Sequence, residues 1–435
     1  MDTSRSERIS ANYNEPSSEC CVAANLAISA FTFVILLIAG SGSYYDHSTV
    51  VSDGGPSSSV WLEDELWITL ERNEDRIHIS ASNQEWLAEY EIHAAAELIE
   101  KNRRMQAALV PQAIAGDEDV EAYRKRLAQQ EQTYWTEAHE LSDVILGPIA
   151  DQIKRRRINV IASGEFQSIS FGALPRPYSR VDEPILITNE IEYKNSEADK
   201  VSEYLPLETS SPGRRMLIVG DPDFSSDDDR AFETTKGMEI ELRSESGGRL
   251  PTRLPGSGDE ARSIAQLAGP ANSTFLTGPS AVREAVLNPQ ISDYGVLHIA
   301  THGYVDETDP DRSGLILSGS ASGSTGLSVA DITNVKVNAD LVVLSGCETG
   351  RGIAVDGKMV SLKDAFLHAG AKNVVSSLWK VDDTATAELM IRFHHAMLAD
   401  GLPPAAALRA AQLDLYQTLR FRSPFYWAAF TVHGN

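Results

Sequence analysis

Short apolar runs that stop abruptly at small residues mark the C-terminal part of the chain. One run covers residues 294–300, interrupted by His298, and leads into His302 and Gly303; another covers residues 341–345 and leads into Gly346 and Cys347. Apolar runs of this length that end at glycine are typical of parallel strands buried on both faces. About 45 residues separate His302 from Cys347, which is enough for one crossover connection. The pattern therefore predicts two parallel strands whose loops emerge at one edge of a sheet.

The same pattern continues along the rest of the chain and predicts an α/β fold. From residue 294 onwards, strand-like and helix-like segments alternate, which is typical of an α/β/α sandwich. Upstream, residues 60–80 predict a β-hairpin, residues 86–154 are mostly helical in character, and residues 158–162 and 216–220 read as buried strands. The chain is long enough for two lobes, each with a sizeable core.

The N-terminal end follows a different pattern. Residues 1–21 are polar and predicted to be disordered, residues 22–40 form an apolar run, and residues 41–59 are rich in Ser, Gly and Asp, as linkers are. The run is just long enough to cross a bilayer, and Arg5 and Arg8 before it would leave the N-terminus in the cytoplasm. A membrane anchor, a buried core helix and a signal peptide remain open interpretations, so the protein is expected either at a membrane or in the cytoplasm.

The net charge and the cysteine content limit the partners and the kinds of site that we expect. The chain has 38 Lys and Arg against 62 Asp and Glu, a net charge of −24, which argues against nucleic acid as a partner. Its cysteines are Cys20, Cys21 and Cys347, so no disulfide framework is visible and Cys347 is expected to be a free thiol. No metal-ligand spacing and no phosphate-binding glycine loop is present, so we expect neither a metal nor a cofactor.

Separated motifs stand in a fixed order along the C-terminal part of the chain. They are His298-Ile-Ala-Thr-His-Gly303, Ser313-Gly-Leu315, Leu327-Ser-Val-Ala-Asp-Ile332, Leu344-Ser-Gly-Cys-Glu-Thr-Gly350, Asp364-Ala-Phe-Leu-His-Ala-Gly370, Val374-Val-Ser-Ser-Leu-Trp379 and Pro424-Phe-Tyr-Trp-Ala-Ala-Phe430. This series resembles the CHAT family of caspase-like peptidases, which are related to caspases and separase, and weaker matches extend the resemblance to residues 60–435. It implies a caspase-like fold, with a degenerate first lobe over residues 60–290 and a catalytic second lobe over residues 291–435.

The resemblance implies that His302 and Cys347 are the catalytic dyad of a cysteine endopeptidase that cleaves protein substrates. Cys347 would attack the scissile carbonyl, and His302 would assist its deprotonation or protonate the leaving amine. The backbone N–H groups of Gly303 and Cys347 are the candidate oxyanion donors. His298 is expected to be a core histidine rather than a second catalytic group. An idle caspase-like scaffold is the alternative function, and a tetratricopeptide-repeat protein is a candidate regulatory partner, because such repeats often accompany the family.

The pocket for the substrate residue before the scissile bond is predicted at the end of the next strand. Trp379 could form its wall, and Asp382 or Asp383 could pair with a basic residue. For Asp382 the cap of the following helix is the favoured role, and the pocket role remains open. Because Glu348 follows Cys347 where caspases have Arg, Gln or Gly, we do not carry over the caspase preference for aspartate.

Overall fold

The computed structural model describes residues 49–52, 65–83, 85–111, 118–154, 157–195, 215–224, 251, 253–319, 326–355 and 358–434. All of them lie in one compact unit. The predicted disordered segment 1–21, the apolar segment 22–40 and, apart from one short strand, the predicted linker 41–59 fall outside the described residues.

Twelve strands of the described residues form one sheet, and five short strands form two small additional sheets. In chain order, the strands are β1 (Thr49–Ser52), β2 (Glu65–Asn73), β3 (Arg76–Ser82), β4 (Leu87–His93), β5 (Arg157–Ala162), β6 (Glu190–Lys194), β7 (Arg215–Pro222), β8 (Ser273–Gly278), β9 (Tyr294–Ala300), β10 (Gly303–Tyr304), β11 (Gly314–Ile316), β12 (Gly326–Ser328), β13 (Leu341–Ser345), β14 (Ile353–Val355), β15 (Lys358–Val360), β16 (Asn373–Ser377) and β17 (Phe430–Gly434). The large sheet has the order β1-β4-β3-β2-β5-β6-β17-β16-β13-β9-β7-β8.

Strand direction divides this sheet into two halves. In the second half, β16, β13, β9, β7 and β8 all run parallel. The first half contains β1 to β6 and β17. In it, β2, β5, β6 and β17 run parallel to one another, and β17 is antiparallel to β16, the neighbouring strand of the second half. The carboxyl ends of the two parallel groups therefore lie at opposite edges of the sheet.

Eight α-helices of the described residues connect and cover these strands. They are α1 (Ala95–Leu109), α2 (Val120–Leu146), α3 (Pro255–Ala268), α4 (Arg283–Leu287), α5 (Val329–Thr333), α6 (Leu362–His368), α7 (Asp383–Leu398) and α8 (Pro404–Gln417). Several begin at a side-chain cap, as polar residues before apolar runs predict: Ser328 and Asp331 form a capping box at α5, and Ser361 caps α6.

Helices cover both faces of the second half of the sheet. Alternate residues of β13 enter two different cores, with Leu341 and Val343 on the face of α3, α7 and α8, and Val342 and Leu344 on the face of α4, α5 and α6. Strands buried on both faces explain why these segments read as continuous apolar runs. The predicted α/β/α sandwich is confirmed.

The predicted elements upstream agree with the structure in part. The predicted hairpin is β2 and β3, which pair antiparallel. The mostly helical stretch 86–154 contains α1 and α2, but it begins with β4, which extends the hairpin by a third strand. The boundary predicted at residue 290 lies between β8 and β9, whereas in the sheet β7 and β8 lie beside β9, in the second half.

Neither a membrane-spanning helix nor a metal site is found in the part of the chain that the structure describes. No helix there is both long enough and apolar enough to cross a bilayer. No cluster of His, Cys, Asp or Glu among the same residues could hold a metal ion.

Candidate active site

His302 and Cys347 follow the carboxyl ends of two adjacent parallel strands. β9 and β13 pair in register from Val296 with Leu341 to Ala300 with Ser345. The pairing continues one residue further, because the N–H of Thr301 donates to the carbonyl of Ser345 at 3.1 Å. Both loops therefore leave the same edge of the sheet, which is where open α/β sheets place their sites.

Glycine lets the two loops touch through their backbones. A Cβ atom on Gly303 would overlap the carbonyl oxygen of Cys347, and one on Gly346 would overlap the carbonyl oxygen of Thr301. Contact this close is open only to a residue without a side chain. The structure thus places the loop of His302 and Gly303 against the loop of Cys347, with the glycines at the contact, while the catalytic roles of these residues stay a prediction.

The loop that carries Cys347 is fixed to the next strand, β16. The hydroxyl of Ser377 donates to the carbonyl of Gly346, and the N–H of Ser377 donates to the hydroxyl of Thr349 at 3.1 Å. The N–H of Gly350 donates to the carbonyl of Ser377 at 2.8 Å. Between them, Glu348 has a φ of 54°, in the left-handed region that non-glycine residues rarely adopt. These bonds hold a sharp turn directly after the thiol.

The thiol of Cys347 lies in a largely buried environment with mixed charges. Burial raises its pKa above the usual range, and the carboxylates of Glu348 and Asp383 act in the same direction. A hydrogen bond from the backbone of Val381 and the positive charge of Lys380 act to lower the pKa. Since burial is the largest of these influences, the neutral thiol is the favoured form of Cys347 in this arrangement.

An aromatic ring packs beside the imidazole of His302. The ring of Phe224 lies 5.4 Å from it, centroid to centroid, at an angle of 50°. Phe224 comes two residues after β7, the strand next to β9, so a third strand end contributes to the same edge. The sequence analysis missed this residue, although an apolar side chain just after a predicted strand was a usable signal.

The three predicted pocket residues all have partners within the protein. Trp379 is 4% exposed, and its ring N–H donates to the carbonyl of Phe425 at 3.3 Å. Asp382 caps α7 by accepting from the N–H of Ala385 at 2.8 Å. Asp383 accepts from the N–H of Gly256 at 2.7 Å, which joins the first turns of α7 and α3. The cap role predicted for Asp382 is present, while contact of these residues with substrate stays a prediction.

Comparisons with known proteins identify the family of this chain. The family model of the CHAT domain matches residues 136–435, about two thirds of the chain. The chain belongs to the CHAT domain family. Tetratricopeptide repeat protein 28 from Mus musculus is 32% identical over 109 residues, and the one from Homo sapiens is 34% identical over 110 residues. Each match covers 25% of this chain and 4% of the relative, so the chain spans a small part of the curated relatives it matches.

A solved structure agrees with the CHAT domain in its fold. A chain of the Saccharomyces cerevisiae separase–securin complex superposes on 85% of this chain with a TM-score of 0.51, at 9% sequence identity. The match covers 30% of that longer chain. At this identity the likeness concerns the fold alone. The CHAT domain is a caspase-like α/β fold, as predicted.

Proposed function

We propose that this CHAT domain is a cysteine endopeptidase of the caspase and separase type, with Cys347 as nucleophile and His302 as its proton-transfer partner. The observation that carries the proposal is the backbone contact between Gly303 and the carbonyl oxygen of Cys347. It supports a site in which an imidazole and a thiol belong to two touching loops at one sheet edge, as nucleophilic catalysis requires.

The charge state of Cys347 suggests how the reaction begins. Since burial raises the pKa of the thiol, the resting nucleophile is neutral. His302 then takes the thiol proton as the sulfur attacks the scissile carbonyl, and the imidazolium returns that proton to the leaving amine. Water then hydrolyses the resulting thioester: His302 accepts a proton from the attacking water and returns it to the sulfur of Cys347 as the C–S bond breaks. The N–H groups of Gly303 and Cys347 stabilise the oxyanion, each worth about 10²–10³-fold in rate.

Asp383 is the better candidate for recognising a basic substrate residue. Both carboxylates are partly exposed and each accepts one backbone N–H, but only the charge of Asp383 is among the influences that act on the thiol of Cys347. A carboxylate this close to the nucleophile would favour Arg or Lys immediately before the scissile bond.

A probe that labels active cysteine peptidases tests the activity. An acyloxymethyl-ketone peptide should label the wild-type protein and not the Cys347→Ala variant, whereas a variant with Cys20→Ala and Cys21→Ala should label normally. If no peptide of any sequence labels Cys347, the idle scaffold is the better description.

The choice of substrate is tested with a matched pair of variants. Asp383→Asn should lower kcat/KM for a peptide with Arg before the scissile bond by about tenfold or more relative to one with Leu, because it removes a charge-assisted contact. Asp382→Asn, one residue away, should leave that ratio unchanged. Equal ratios in both variants would contradict the role of Asp383.

A tetratricopeptide-repeat protein is the proposed regulatory partner. The relatives that match this chain carry the matching segment inside proteins named for such repeats. A purified repeat partner should raise the rate of probe labelling at Cys347, and unchanged labelling with bound partner would contradict this role.

A further inference from the structure

A cavity of about 660 Å³ lies between α2, the loop that contains Asp182 and the segment that follows α8. A volume of this size is typical of ligand-binding pockets. None of the described residues that line the cavity belongs to the candidate active site. The side chains that give the cavity its chemistry are Glu131, Trp135, His139, Asp182, Tyr416 and Arg422.

One face of α2 forms a wall of the cavity. Glu131, Trp135 and His139 follow one another at intervals of four residues, so their side chains lie on the same face of the helix. Trp135 is largely buried and packs edge-on against Tyr134, which fixes the position of its indole. The imidazole of His139 lies beside this indole, with ring centroids 6.3 Å apart. The helix therefore presents a rigid aromatic wall with the carboxylate of Glu131 one turn away.

Asp182 reaches the cavity from a loop that is fixed to the same helix. The N–H of Tyr178 donates to Oδ1 of Asp143 on α2 at 2.5 Å, and Tyr178 has a φ of 59°, in the left-handed region that non-glycine residues rarely adopt. Oδ1 of Asp182 lies 3.0 Å from Nε2 of His139. The side chain of Asp182 is 59% exposed. Its carboxylate is thus held in place and is still accessible to a ligand.

The charges around the cavity are not balanced. Within the described part of the chain, Glu131 forms no ion pair, and the partner of the Asp182 carboxylate is the imidazole of His139. Arg422 lies with its guanidinium 5.5 Å from the centroid of the Tyr416 ring, and it pairs with no carboxylate of the described residues. Two carboxylates thus face one guanidinium, and a ligand with one positive charge would balance them.

The combination of aromatic rings and carboxylates favours a guanidinium as this positive charge. A guanidinium stacks on aromatic rings and donates to carboxylates through a planar fork, whereas an ammonium is a compact and strongly hydrated charge. Arg422 already uses the face of Tyr416 in this manner. Glu131 and Asp182 would repel phosphates and acidic peptides, and an apolar side chain would bury their charges without partners. The net charge of −24 adds a long-range attraction for basic ligands.

We propose that this cavity is a docking site that takes an arginine side chain from a basic segment of a protein partner. The guanidinium lies against the rings of Trp135 and Tyr416 and pairs with the carboxylates of Glu131 and Asp182. One arginine side chain is much smaller than the cavity, so neighbouring residues of the partner segment enter as well. The site is separate from Cys347, and the proposal does not depend on peptidase activity.

Small blocked amino acids test this chemistry in the full-length protein. N-acetyl-arginine amide should bind with a Kd of about 1 mM, as expected for a ligand of this size. Its neutral isostere, N-acetyl-citrulline amide, should not bind, and N-acetyl-lysine amide should bind several-fold more weakly than the arginine compound. The readout is ¹⁹F NMR of protein that contains 5-fluorotryptophan at its six tryptophans, with Trp135→Phe to assign the signal of Trp135.

The same spectra separate this site from the candidate substrate pocket, where Asp383 would also attract a basic residue. Binding at that pocket should shift the signal of Trp379 and should be weakened in Asp383→Asn. The response of Trp135 should be the same in the wild type, in Asp383→Asn and in Cys347→Ala. The two tryptophan signals therefore test the two proposals independently.

A matched set of variants tests the carboxylates. Glu131→Gln and Asp182→Asn should each raise the Kd of N-acetyl-arginine amide by about tenfold, because each removes one charge-assisted contact. Glu183→Gln should keep the wild-type Kd, because Glu183 is exposed in the same loop and does not line the cavity.

Several outcomes would overturn the proposal. They are a Trp135 signal that does not respond to N-acetyl-arginine amide, equal responses to arginine and citrulline, and an unchanged Kd in both carboxylate variants. Binding that weakens as the protein concentration rises would identify a second copy of the chain as the occupant, which would also overturn the proposal.

A peptide library tests the kind of partner. Peptides selected by phage display on the wild-type protein, after depletion on the double variant Glu131→Gln and Asp182→Asn, should share an arginine. Replacement of that arginine by citrulline in a synthetic peptide should abolish the Trp135 response. Selected peptides without arginine would show that the cavity takes another ligand and would overturn the proposal.

Discussion

The two halves of the large sheet differ in the contacts between the loops at the carboxyl ends of their parallel strands. In the second half, Gly303 and the carbonyl of Cys347 bring two loops into backbone contact, and the thiol lies largely buried between strand ends. In the first half, an ion pair joins the carboxyl end of β2 to the loop after β5. Arg72 lies 3.1 Å from Glu165, and both side chains are more than a third exposed. The same strand arrangement thus gives a candidate site only where glycine lets the loops meet.

Buried histidines occur in both halves. Among the described residues, His298 and His394 belong to the second half and His433 lies on β17 of the first half, next to β16, while His78 and His139 of the first half are partly exposed. A buried ionisable group makes stability depend more steeply on pH than an exposed one does. The predictions below compare matched substitutions in the two halves, from the largest expected effect to the smallest.

The glycine contact should give the largest difference. Gly303→Ala adds a Cβ that overlaps the Cys347 carbonyl oxygen, so the loops must move apart. We expect probe labelling of Cys347 to fall by about a hundredfold, since displacements near 1 Å have this effect at reactive centres. Unfolding should become easier by about 1–3 kcal/mol. Gly172→Ala in the first half meets only ordinary contacts and should behave like the wild type. Normal labelling of Gly303→Ala would mean that the contact is dispensable.

Acid should destabilise the fold through buried histidines such as His433, on β17 where the two halves meet. Burial, and to a lesser degree the charge of Lys363, lowers the pKa of His433 well below its ordinary range. Below pH about 6.5 the unfolded chain protonates this histidine and the folded protein does not, so stability falls as the pH falls. Each such histidine contributes about 1.4 kcal/mol per pH unit.

The variant for this prediction is His433→Gln. Chemical denaturation between pH 6.5 and pH 4.5 should show a shallower loss of stability in His433→Gln than in the wild type. Identical slopes in the two proteins would show that His433 is protonated in the folded state as well.

The sequence predicted the second half better than the first, for physical reasons. Strands buried on both faces, such as β9 and β13, give continuous apolar runs that end at glycine, so the positions of His302 and Cys347 followed directly. β4 was missed although Leu87–His93 alternates between apolar and polar residues, because the segment leads straight into α1 and was interpreted as part of that helical stretch. Long-range contacts, including the pairing of Asp383 with Gly256 and of Glu260 with His298, leave no local pattern in the sequence.

Removal of a single buried hydroxyl should have an intermediate effect. Ser377→Ala leaves the Gly346 carbonyl without the donor that fixes the Cys347 loop to β16. A buried acceptor that loses its partner costs about 1–3 kcal/mol, which equilibrium unfolding in urea would measure. Ser163→Ala in the first half removes an acceptor at 3.1 Å from the exposed N–H of Arg72 and should cost less than half as much. An equal cost at both positions would show that the Cys347 loop is no more tightly held than the loop after β5.

Exposed ion pairs should show the smallest difference between the halves. Arg351 pairs with Glu348 at 2.8 Å and with Glu307 at 3.2 Å, across the loops that follow Cys347 and His302. Arg351 is 44% exposed, so solvent screens both pairs, and Arg351→Gln should lower stability by less than about 1 kcal/mol. Arg72→Gln, which breaks the pair with Glu165, should have a similarly small effect, and 0.5 M NaCl should remove both. Arg351→Gln should also leave the rate of Cys347 alkylation by iodoacetamide unchanged at high salt. A changed rate would mean that the two ion pairs of Arg351 hold the active-site loops in place and are more than solvated surface contacts.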